Sequence, residues 1–301
     1  MVLAPVALFV YNRPKHTLCT VESLRKNILA NESDLFIFSD APKINSQPKL
    51  VNSVREYISS ITGFKSVKII ERDTNKGLAN SIIDGVSMLC QEFGQVIVIE
   101  DDLVTSPHFL SYMNEALNIY RDNDIVISIH GYIYPIKSKL PETFFLRGAD
   151  CWGWATWERG WNYFEPNGKK LLYELKYKNL LKQFNYNGTI NNIKMLNDQI
   201  KGKSDSWAIR WHASAFINNK LTLYPGVSLV KNIGMDGTGE HCGTTNYFDC
   251  EVSRDPIEIK KISVTENEEV RKLVEEYLMN MEKPIVNRIK DKIIRIFNKY
   301  I

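Results

Sequence analysis

The chain lacks the short motifs that most often identify a zinc protein or a nucleotide-binding protein. Its five cysteines are scattered, with no Cys-x-x-Cys pair and no Cys/His cluster, so the sequence offers no zinc site. No Gly-x-Gly-x-x-Gly follows the first apolar run, and no Gly-x-x-x-x-Gly-Lys-Ser/Thr occurs, which disfavours the dinucleotide-binding and P-loop modes. A nucleotide bound here therefore needs another way to neutralise its phosphates.

Strong charge and long apolar runs are also missing. The 301 residues carry a formal net charge of +3, with 44% hydrophobic and 24% charged residues, which is ordinary for a globular chain and does not indicate a polyanionic partner such as nucleic acid. No window reaches the roughly 18 apolar residues of a membrane-spanning helix. The apolar N-terminus has neither the basic region nor the cleavage site of a signal peptide. We therefore expect a cytoplasmic protein whose first apolar run is a strand.

The first half of the chain alternates between strand and helix patterns. Short, branched apolar runs predict strands at 5–10, 35–39, 67–71, 95–100 and 125–130. Helical spacing between them predicts helices near 15–29, 48–60, 78–92 and 107–121. Strands that are apolar on both faces are typical of a parallel sheet covered by helices on each side. The fold class is therefore α/β, with a mostly parallel central sheet flanked by helices.

The second half has a different composition and predicts a helical region that shapes an acceptor site. Four of the six tryptophans fall in 143–164, and helical patterns follow in 166–203 and 205–217. We expect one domain over 1–281, with a nucleotide-binding half (1–130) and an acceptor-shaping half (131–281). Residues 282–301 then predict a basic amphipathic helix, which either contacts an anionic membrane surface or docks on its own domain. The first alternative places the protein peripherally at the cytoplasmic face of a membrane.

Charged and amide side chains follow the predicted strands where each strand ends. Arg13 follows the first strand, Asp40 the second, Asp73 and Asn75 the third, and Glu100-Asp101-Asp102 the fourth. Ligands of open parallel sheets bind beyond these carboxyl ends. Carboxylates there suit Mn²⁺ or Mg²⁺, which takes one or two protein oxygens together with phosphate oxygens. The alternative for the three acids is a solvated turn before a helix, and for Asp73 and Asn75 it is turn formation.

The acidic run and its flanks resemble a known family. "VIVIEDDLVTSPHFLSYMNEAL" resembles the metal-binding strand and following helix of the N-acetylglucosaminyltransferase I family, which has the GT-A glycosyltransferase fold and an EDD form of the DxD motif. "VALFVYNRPKHTLCTVESL" resembles its first strand and uridine-binding loop, which implies a nucleotide contact for Arg13. "LFIFSD" resembles its second strand, which implies a uracil contact for Asp40. The resemblance further implies that Asp102 contacts the metal, while Glu100 and Asp101 orient the ligand.

Two later segments extend the resemblance over roughly residues 3–240. "FFLRGADCWGWATWERGW" resembles the acceptor-side Gly-Trp segment, which implies substrate contacts around Trp152, Gly153 and Trp154, with one of the two tryptophans at the sugar. "SDSWAIRW" resembles the segment that carries the catalytic base, which implies this role for Asp205 and substrate contacts for Trp207 and Arg210. His241, in a glycine-rich loop, is a further substrate-binding candidate, with a surface histidine as the alternative.

The resemblance implies a metal-dependent, inverting transfer of a sugar from a UDP-sugar. The acceptor would be a hydroxyl of a glycan or a lipid-linked oligosaccharide in surface polysaccharide synthesis, with Asp102 on the metal and Asp205 as general base. Two alternatives are a nucleotidyltransferase that makes the activated sugar and a non-catalytic carbohydrate-binding protein. The first usually has a glycine-rich first loop, which "YNRPKHT" lacks, and the second gives no reason for three acids at a strand end.

Overall fold

The computed structural model describes residues 2–44, 48–237 and 246–282. Within these ranges the chain forms ten strands and ten α-helices. The strands are β1 (Val6–Val10), β2 (Asp34–Ser39), β3 (Ser66–Glu71), β4 (Gln95–Glu100), β5 (Leu103–Thr105), β6 (Val126–His130), β7 (Thr143–Arg147), β8 (Trp154–Trp157), β9 (Leu221–Pro225) and β10 (Val230–Asn232). The helices are α1 (Pro14–Arg25), α2 (Lys49–Ile58), α3 (Leu78–Phe93), α4 (Phe109–Ile119), α5 (Glu158–Trp161), α6 (Gly168–Tyr177), α7 (Leu181–Phe184), α8 (Asn192–Ile200), α9 (Trp207–Ile217) and α10 (Glu268–Glu282).

The main sheet is mixed but mostly parallel, as the sequence predicts. In the described part of the chain it has eight strands in the order β3-β2-β1-β4-β8-β6-β9-β7. The pairs β3–β2, β2–β1, β1–β4 and β6–β9 are parallel, whereas β8 is antiparallel to both of its neighbours and β7 is antiparallel to β9. The carboxyl ends of β1, β2, β3, β4, β6 and β9 therefore lie along the same edge of the sheet.

Alternation along the strands divides the core between the two faces of the sheet. Val6 and Leu8 of β1 pack in one cluster with apolar residues of α1, α2 and α4, while Phe9 packs in a second cluster with residues of α3, α5 and α9. Phe9 also stacks on Phe38 of β2 with 4.9 Å between ring centroids. Burying each large apolar side chain contributes about 1.5–3 kcal/mol. The doubly covered β1 holds its carboxyl end, and the residues that follow it, in a fixed position.

The acceptor-shaping half supplies two smaller clusters and four further strands of the sheets. Helices α6, α7 and α8 pack on α9, and α10 packs on β7 and β9. The antiparallel strand β8 is inserted between β4 and β6, and a small antiparallel sheet joins β5 to β10. The sequence did not predict β5, β7, β8, β9, β10 or α10. The predicted basic helix over 282–301 lies, from 283 onward, outside the described residues.

Whether a helix is suited to cross a membrane can be judged for the described helices alone. None of them combines the length and the apolar composition that crossing a bilayer requires.

Candidate active site

A cavity of about 370 Å³ opens at the carboxyl ends of β1, β2 and β4, and the start of α9 also lines it. Nine of the site residues predicted from the sequence line this cavity together, although they come from positions 13 to 207 of the chain. They are Arg13, Asp40, Asn75, Glu100, Asp101, Asp102, Trp152, Asp205 and Trp207. The structure thus brings the predicted donor side and the predicted acceptor side to one place.

The three acids at the end of β4 face a single guanidinium group. Arg13 immediately precedes α1, and its Nη1 lies 2.8 Å from Asp102 Oδ2 and 3.9 Å from Asp101 Oδ1. The backbone N–H of Tyr11 donates to Asp101 Oδ2 at 3.4 Å. The side chains of Arg13, Asp101 and Asp102 are 13%, 12% and 15% exposed, so this charge cluster is largely shielded from solvent.

One arginine does not compensate the crowding of three carboxylates. Burial raises the pKa of Glu100 well above its usual range, and the neighbouring Asp102 and Asp101 raise it further, against the opposing effect of Arg13. Burial and then Asp102 raise the pKa of Asp101 to about 7, while Arg13 acts in the opposite direction. Additional positive charge at this position would therefore favour the ionised forms of these acids.

The donor atoms at this position fit a divalent cation that is shared with a ligand. Within the described residues, no three His, Cys, Asp or Glu side chains converge to hold a metal by themselves. Mg²⁺ and Mn²⁺ sites at phosphates do not need such a cage, because one or two carboxylates suffice when phosphate oxygens and waters supply the remaining ligands. Of the three carboxylates, Asp102 makes the shortest contact with the Arg13 cation, at 2.8 Å from its Oδ2.

A loop after β10 packs directly behind Asp102. The backbone N–H of Ile233 donates to the Asp102 carbonyl oxygen at 2.8 Å. A Cβ atom on Gly234 would lie 2.0 Å from Asp102 Oδ2 and 3.0 Å from Arg13 Nη1, so only glycine leaves room for this carboxylate. Asp236 adds a fourth carboxylate, 3.6 Å from Arg13 Nη2 and 3.1 Å from His16 Nε2. The sequence analysis missed Gly234 and Asp236 as site residues, and their only signal was the glycine cluster around them.

Asp40 is bound to the backbone of a neighbouring loop. Its Oδ1 accepts the N–H groups of Ala41 and Lys76, each at 2.9 Å, and its Oδ2 accepts the N–H of Gly77 at 2.9 Å. Asn75 donates to the Ala41 carbonyl oxygen at 2.6 Å. These bonds fix the loop before α3 against the end of β2. Both side chains still line the cavity, whereas Asp73 is exposed and does not.

Asp205 lies at the start of α9, on the side of the cavity formed by the second half of the chain. Ser206 caps the helix by accepting the N–H of Ile209, so Asp205 immediately precedes the helix N-terminus. Its Oδ1 is 3.2 Å from Nη2 of Arg210, and its side chain is 58% exposed. Arg210 also donates to the Ser206 and Pro166 carbonyl oxygens. Arg210 is thus buried behind Asp205 and orients it, rather than lining the cavity as the sequence suggested.

The predicted tryptophans divide between the cavity and the core. Trp152 lines the cavity, and its ring meets Tyr132 edge-on with 4.7 Å between centroids. Trp154 is 0% exposed and stacks on Trp207 at 5.4 Å, because β8 turns it into the core. Gly153, with φ +63°, makes the turn between them and does not line the cavity. Of the two tryptophans, Trp152 therefore lines the cavity and Trp154 does not; His241 lies outside the described residues.

One protein-family model matches the part of the chain that contributes most of this site. The model described as "Glycosyl transferase family 2" matches residues 6–184, which include β1 to β4, the three acids and Trp152. No curated protein sequence matches the chain significantly.

Solved structures show weaker similarity to the chain. Mannosyltransferase PcManGT from Pyrobaculum calidifontis, in complex with GDP-Man and Mn²⁺, is 10% identical with a TM-score of 0.34, covering 45% of this chain and 36% of that one. TarS from S. aureus is 15% identical with a TM-score of 0.33, covering 49% and 24%. TarS 1-349 in complex with UDP is 15% identical with a TM-score of 0.31, covering 46% and 38%. The chain therefore spans less than two fifths of each of these structures.

Proposed function

Because the chain belongs to glycosyl transferase family 2, we propose that it catalyses metal-dependent, inverting transfer of a sugar from a UDP-sugar to an acceptor hydroxyl. One observation carries this proposal: a single cavity is lined by Arg13 and the three acids on one side and by Asp205 on the other. The mixed sheet of the chain, flanked by helices, has the GT-A fold that the sequence predicts. A glycosyltransferase needs these two kinds of group facing one reacting centre.

The donor side holds and orients the diphosphate. A divalent cation on Asp102, when bound, would supply positive charge to the leaving diphosphate and to the crowded acids. Arg13 is near enough to Asp101 and Asp102 to contact the same phosphates, and Glu100 and Asp101 orient the ligand or its waters. Asp40 and Asn75, held by backbone bonds at the ends of β2 and β3, line the part of the cavity assigned to the uracil and ribose. The preference for uridine rests on the resemblance of these segments to the N-acetylglucosaminyltransferase I family.

The acceptor side removes a proton. Arg210, 3.2 Å from Asp205 Oδ1, holds this carboxylate at the cavity, where it accepts a proton from the acceptor hydroxyl. The hydroxyl oxygen forms a bond to the anomeric carbon as the bond from that carbon to the diphosphate oxygen breaks, and UDP leaves with both electrons. A single displacement of this kind inverts the configuration at the anomeric carbon. Trp152 offers an aromatic face to the transferred sugar.

The acceptor and the cellular setting are proposed from the sequence. A glycan or lipid-linked oligosaccharide in surface polysaccharide synthesis fits a chain with a basic amphipathic segment at 283–301, which would hold the enzyme at an anionic membrane surface. The transferred group is proposed to be a hexosyl or an N-acetylhexosaminyl group.

Calorimetric titration with UDP tests the donor site. We expect UDP to bind the wild-type chain in the presence of Mn²⁺ and to lose at least about tenfold in affinity without it, because Arg13, which already faces the carboxylates of Asp101 and Asp102, does not neutralise a diphosphate by itself. Asp102→Asn should remove the Mn²⁺ dependence, whereas Asp84→Asn, on the half-exposed surface of α3, should not. Absence of UDP binding under both conditions, together with no hydrolysis of any UDP-sugar in Mn²⁺, would refute the proposal.

A further inference from the structure

Ser81 is a buried serine whose side chain lines the donor cavity. It lies in the first turn of α3, four residues after Gly77, and it is only 5% exposed. Together with Leu78 of the same helix it forms part of the cavity wall. Ser81 is therefore a polar residue at the cavity that is almost completely shielded from bulk solvent.

The hydroxyl group of Ser81 has no hydrogen-bond partner among the described residues. Serines inside helices can donate to the carbonyl group four residues earlier, as Ser53 and Ser214 do at 3.0 and 2.7 Å. The corresponding carbonyl group, that of Gly77, accepts the backbone N–H of Ser81 at 3.0 Å, but the Ser81 hydroxyl does not bond to it. Native proteins rarely leave a buried hydroxyl unpaired, so its partner is expected among the molecules that occupy the cavity.

The part of the cavity next to Ser81 has an aromatic floor. Phe9 and Phe38 are paired residues of β1 and β2, their rings stack with 4.9 Å between centroids, and both line the cavity. Helix α3 rests directly on these rings, because a Cβ atom on Gly85 would lie 2.8 Å from Phe9 Cζ and 3.0 Å from Phe38 Cζ. Ser81 is one turn before Gly85 on the same face of the helix. The Ser81 hydroxyl therefore lies beside an apolar floor.

The aromatic floor adjoins the acidic end of β4. Phe9 of β1 pairs with Glu100 of β4, which also lines the cavity. Phe9 and Val98 belong to the core cluster on the sheet face that α3 and α9 cover, and Glu100, two residues after Val98, projects from the same face. Ser81 and Glu100 therefore line the same side of the cavity.

Helix α9 forms the other wall of this space. Trp207 and Ala208 of α9 line the cavity and pack in the same cluster as Ala79 and Ile82 of α3. Asp205, the base of the proposed reaction, directly precedes α9 and lines the cavity as well. The space next to Ser81 is therefore bounded by the acids at the end of β4 and by the start of α9.

The position of this space indicates which part of the donor occupies it. The proposed function assigns the diphosphate to Arg13 and Asp102, and the uracil and ribose to Asp40 and Asn75. The transferred sugar lies between the diphosphate and the base, because the diphosphate leaves from the anomeric carbon that the acceptor hydroxyl attacks. The space between the acids and α9 therefore belongs to the transferred sugar.

We propose that Ser81 hydrogen-bonds one substituent, a hydroxyl or an acetamido group, of the transferred sugar and so contributes to the choice among UDP-sugars. The assignment rests on the proposed function, because it names a donor contact of that reaction. A serine hydroxyl both donates and accepts, as a sugar hydroxyl does. A site built to hydrogen-bond a substrate group rejects an analogue that lacks this group more strongly than an apolar contact can. Ser81 takes no part in binding UDP.

The test separates binding of UDP from use of the UDP-sugar. Ser81→Ala and the wild-type chain are compared in Mn²⁺ by calorimetric titration with UDP. They are also compared by hydrolysis of UDP-glucose, UDP-galactose, UDP-N-acetylglucosamine and UDP-N-acetylgalactosamine. We expect UDP affinities equal within about twofold and a loss of about tenfold in kcat/KM for the donor that the wild-type chain prefers, because one hydrogen bond to the sugar is missing.

Deoxy donors identify the substituent that Ser81 contacts. The 2-, 3-, 4- and 6-deoxy forms of the preferred UDP-sugar are hydrolysed by the wild-type chain and by Ser81→Ala. For one of these donors Ser81→Ala should cause no further loss, because that sugar lacks the partner of the hydroxyl. The same loss with every deoxy donor would overturn the inference.

Tyr112→Phe is the matched control. Tyr112 also has a buried hydroxyl without a partner among the described residues, but it belongs to α4 and does not line the cavity. Its loss should leave UDP affinity and donor hydrolysis unchanged. The Tm of ligand-free Ser81→Ala should not fall, because the Ser81 hydroxyl bonds to nothing in the described protein. A lower Tm would indicate a structural role and would count against the inference.

The inference is overturned if Ser81→Ala hydrolyses the preferred donor as well as the wild-type chain does. It is also overturned if the variant weakens binding of UDP itself as much as use of the UDP-sugar, because Ser81 would then contact the nucleotide. Failure of the proposed function looks different, since the wild-type chain then neither binds UDP nor hydrolyses any UDP-sugar.

Discussion

Replacing His130 by leucine should make the protein less sensitive to acid. The pKa of His130 is lowered to about 3 by burial, against 6.5 for an unhindered histidine. Below pH 6.5 the unfolded chain takes up a proton at this histidine that the folded chain does not. The free energy of unfolding therefore decreases as the pH falls towards 3. The size of the effect at pH 5 depends on the unfolded pKa alone, since the folded ring is still neutral there. It amounts to about 2 kcal/mol relative to pH 7.

The measurement is thermal unfolding of the wild-type chain and His130→Leu between pH 7.5 and 4.5. For a domain of this size about 2 kcal/mol corresponds to a difference in Tm of about 3 °C, so the Tm advantage of the variant should grow by that amount from pH 7 to pH 5. Asp150 acts in the opposite direction, because its raised pKa makes the folded chain retain a proton between about pH 4 and 6. His212, whose pKa burial lowers to about 4, adds a similar acid loss. Comparing the variant with the wild type isolates His130 from both.

Tyr112→Phe again serves as the control, since it also removes a buried polar atom without a partner but not one that titrates below pH 7. Its effect on Tm should be the same at pH 7 and pH 5. A Tm difference between His130→Leu and the wild type that is independent of pH would refute the reasoning. It would mean that His130 becomes protonated inside the folded protein, with Asp150 as its counter-ion.

Three further changes test the donor site, the base and the C-terminal segment. Asp205→Asn should lower kcat for transfer about 10²–10⁴-fold with UDP affinity retained in calorimetry; near-normal turnover would remove Asp205 from the mechanism. Gly234→Ala should weaken Mn²⁺-dependent UDP binding about tenfold or more, because the alanine Cβ would lie 2.0 Å from Asp102 Oδ2. Unchanged affinity would show that the loop after β10 moves to make room for the methyl group. Truncation after Lys283 should reduce sedimentation with anionic liposomes and leave donor hydrolysis intact, and equal sedimentation would exclude a membrane role for the segment.

The donor half of the fold could be predicted because short, contiguous segments of the sequence determine its strands. Strands β1, β2 and β4 are apolar on both faces, and each ends abruptly at polar residues, so the pattern specifies both the element and its end. Parallel strands bring those ends to one edge, which is why Arg13 and Asp102 could be expected near each other. Asp205 is different, because an acid before a helix is usually only part of a cap. It was assigned through resemblance, and the specific likeness to the N-acetylglucosaminyltransferase I family stays a prediction.

The rest of the fold and of the site depends on contacts between residues that are far apart in the sequence. β8 pairs with β4 and β6, about 60 and 25 residues away, and "WATW" has no feature that distinguishes an inserted antiparallel strand from a substrate-binding segment. That pairing is what turns Trp154 into the core and leaves Trp152 at the cavity. Similarly, the Asp40 carboxylate looks the same in the sequence whether it binds a nucleotide or the N–H groups of Lys76 and Gly77.

The loop that leads into β8 has a consequence for the geometry of the product. Asp150 and Trp152 are two positions apart, so their Cα atoms are separated by at most about 7 Å, and β8, which begins at Trp154, anchors the end of this segment by its pairing with β4 and β6. If the two residues contact the acceptor and the transferred sugar, the tripeptide 150–152 sets the distance between the two rings. Inserting or deleting one residue there would then change which hydroxyl is glycosylated, while the uridine-binding end of the sheet stays as it is.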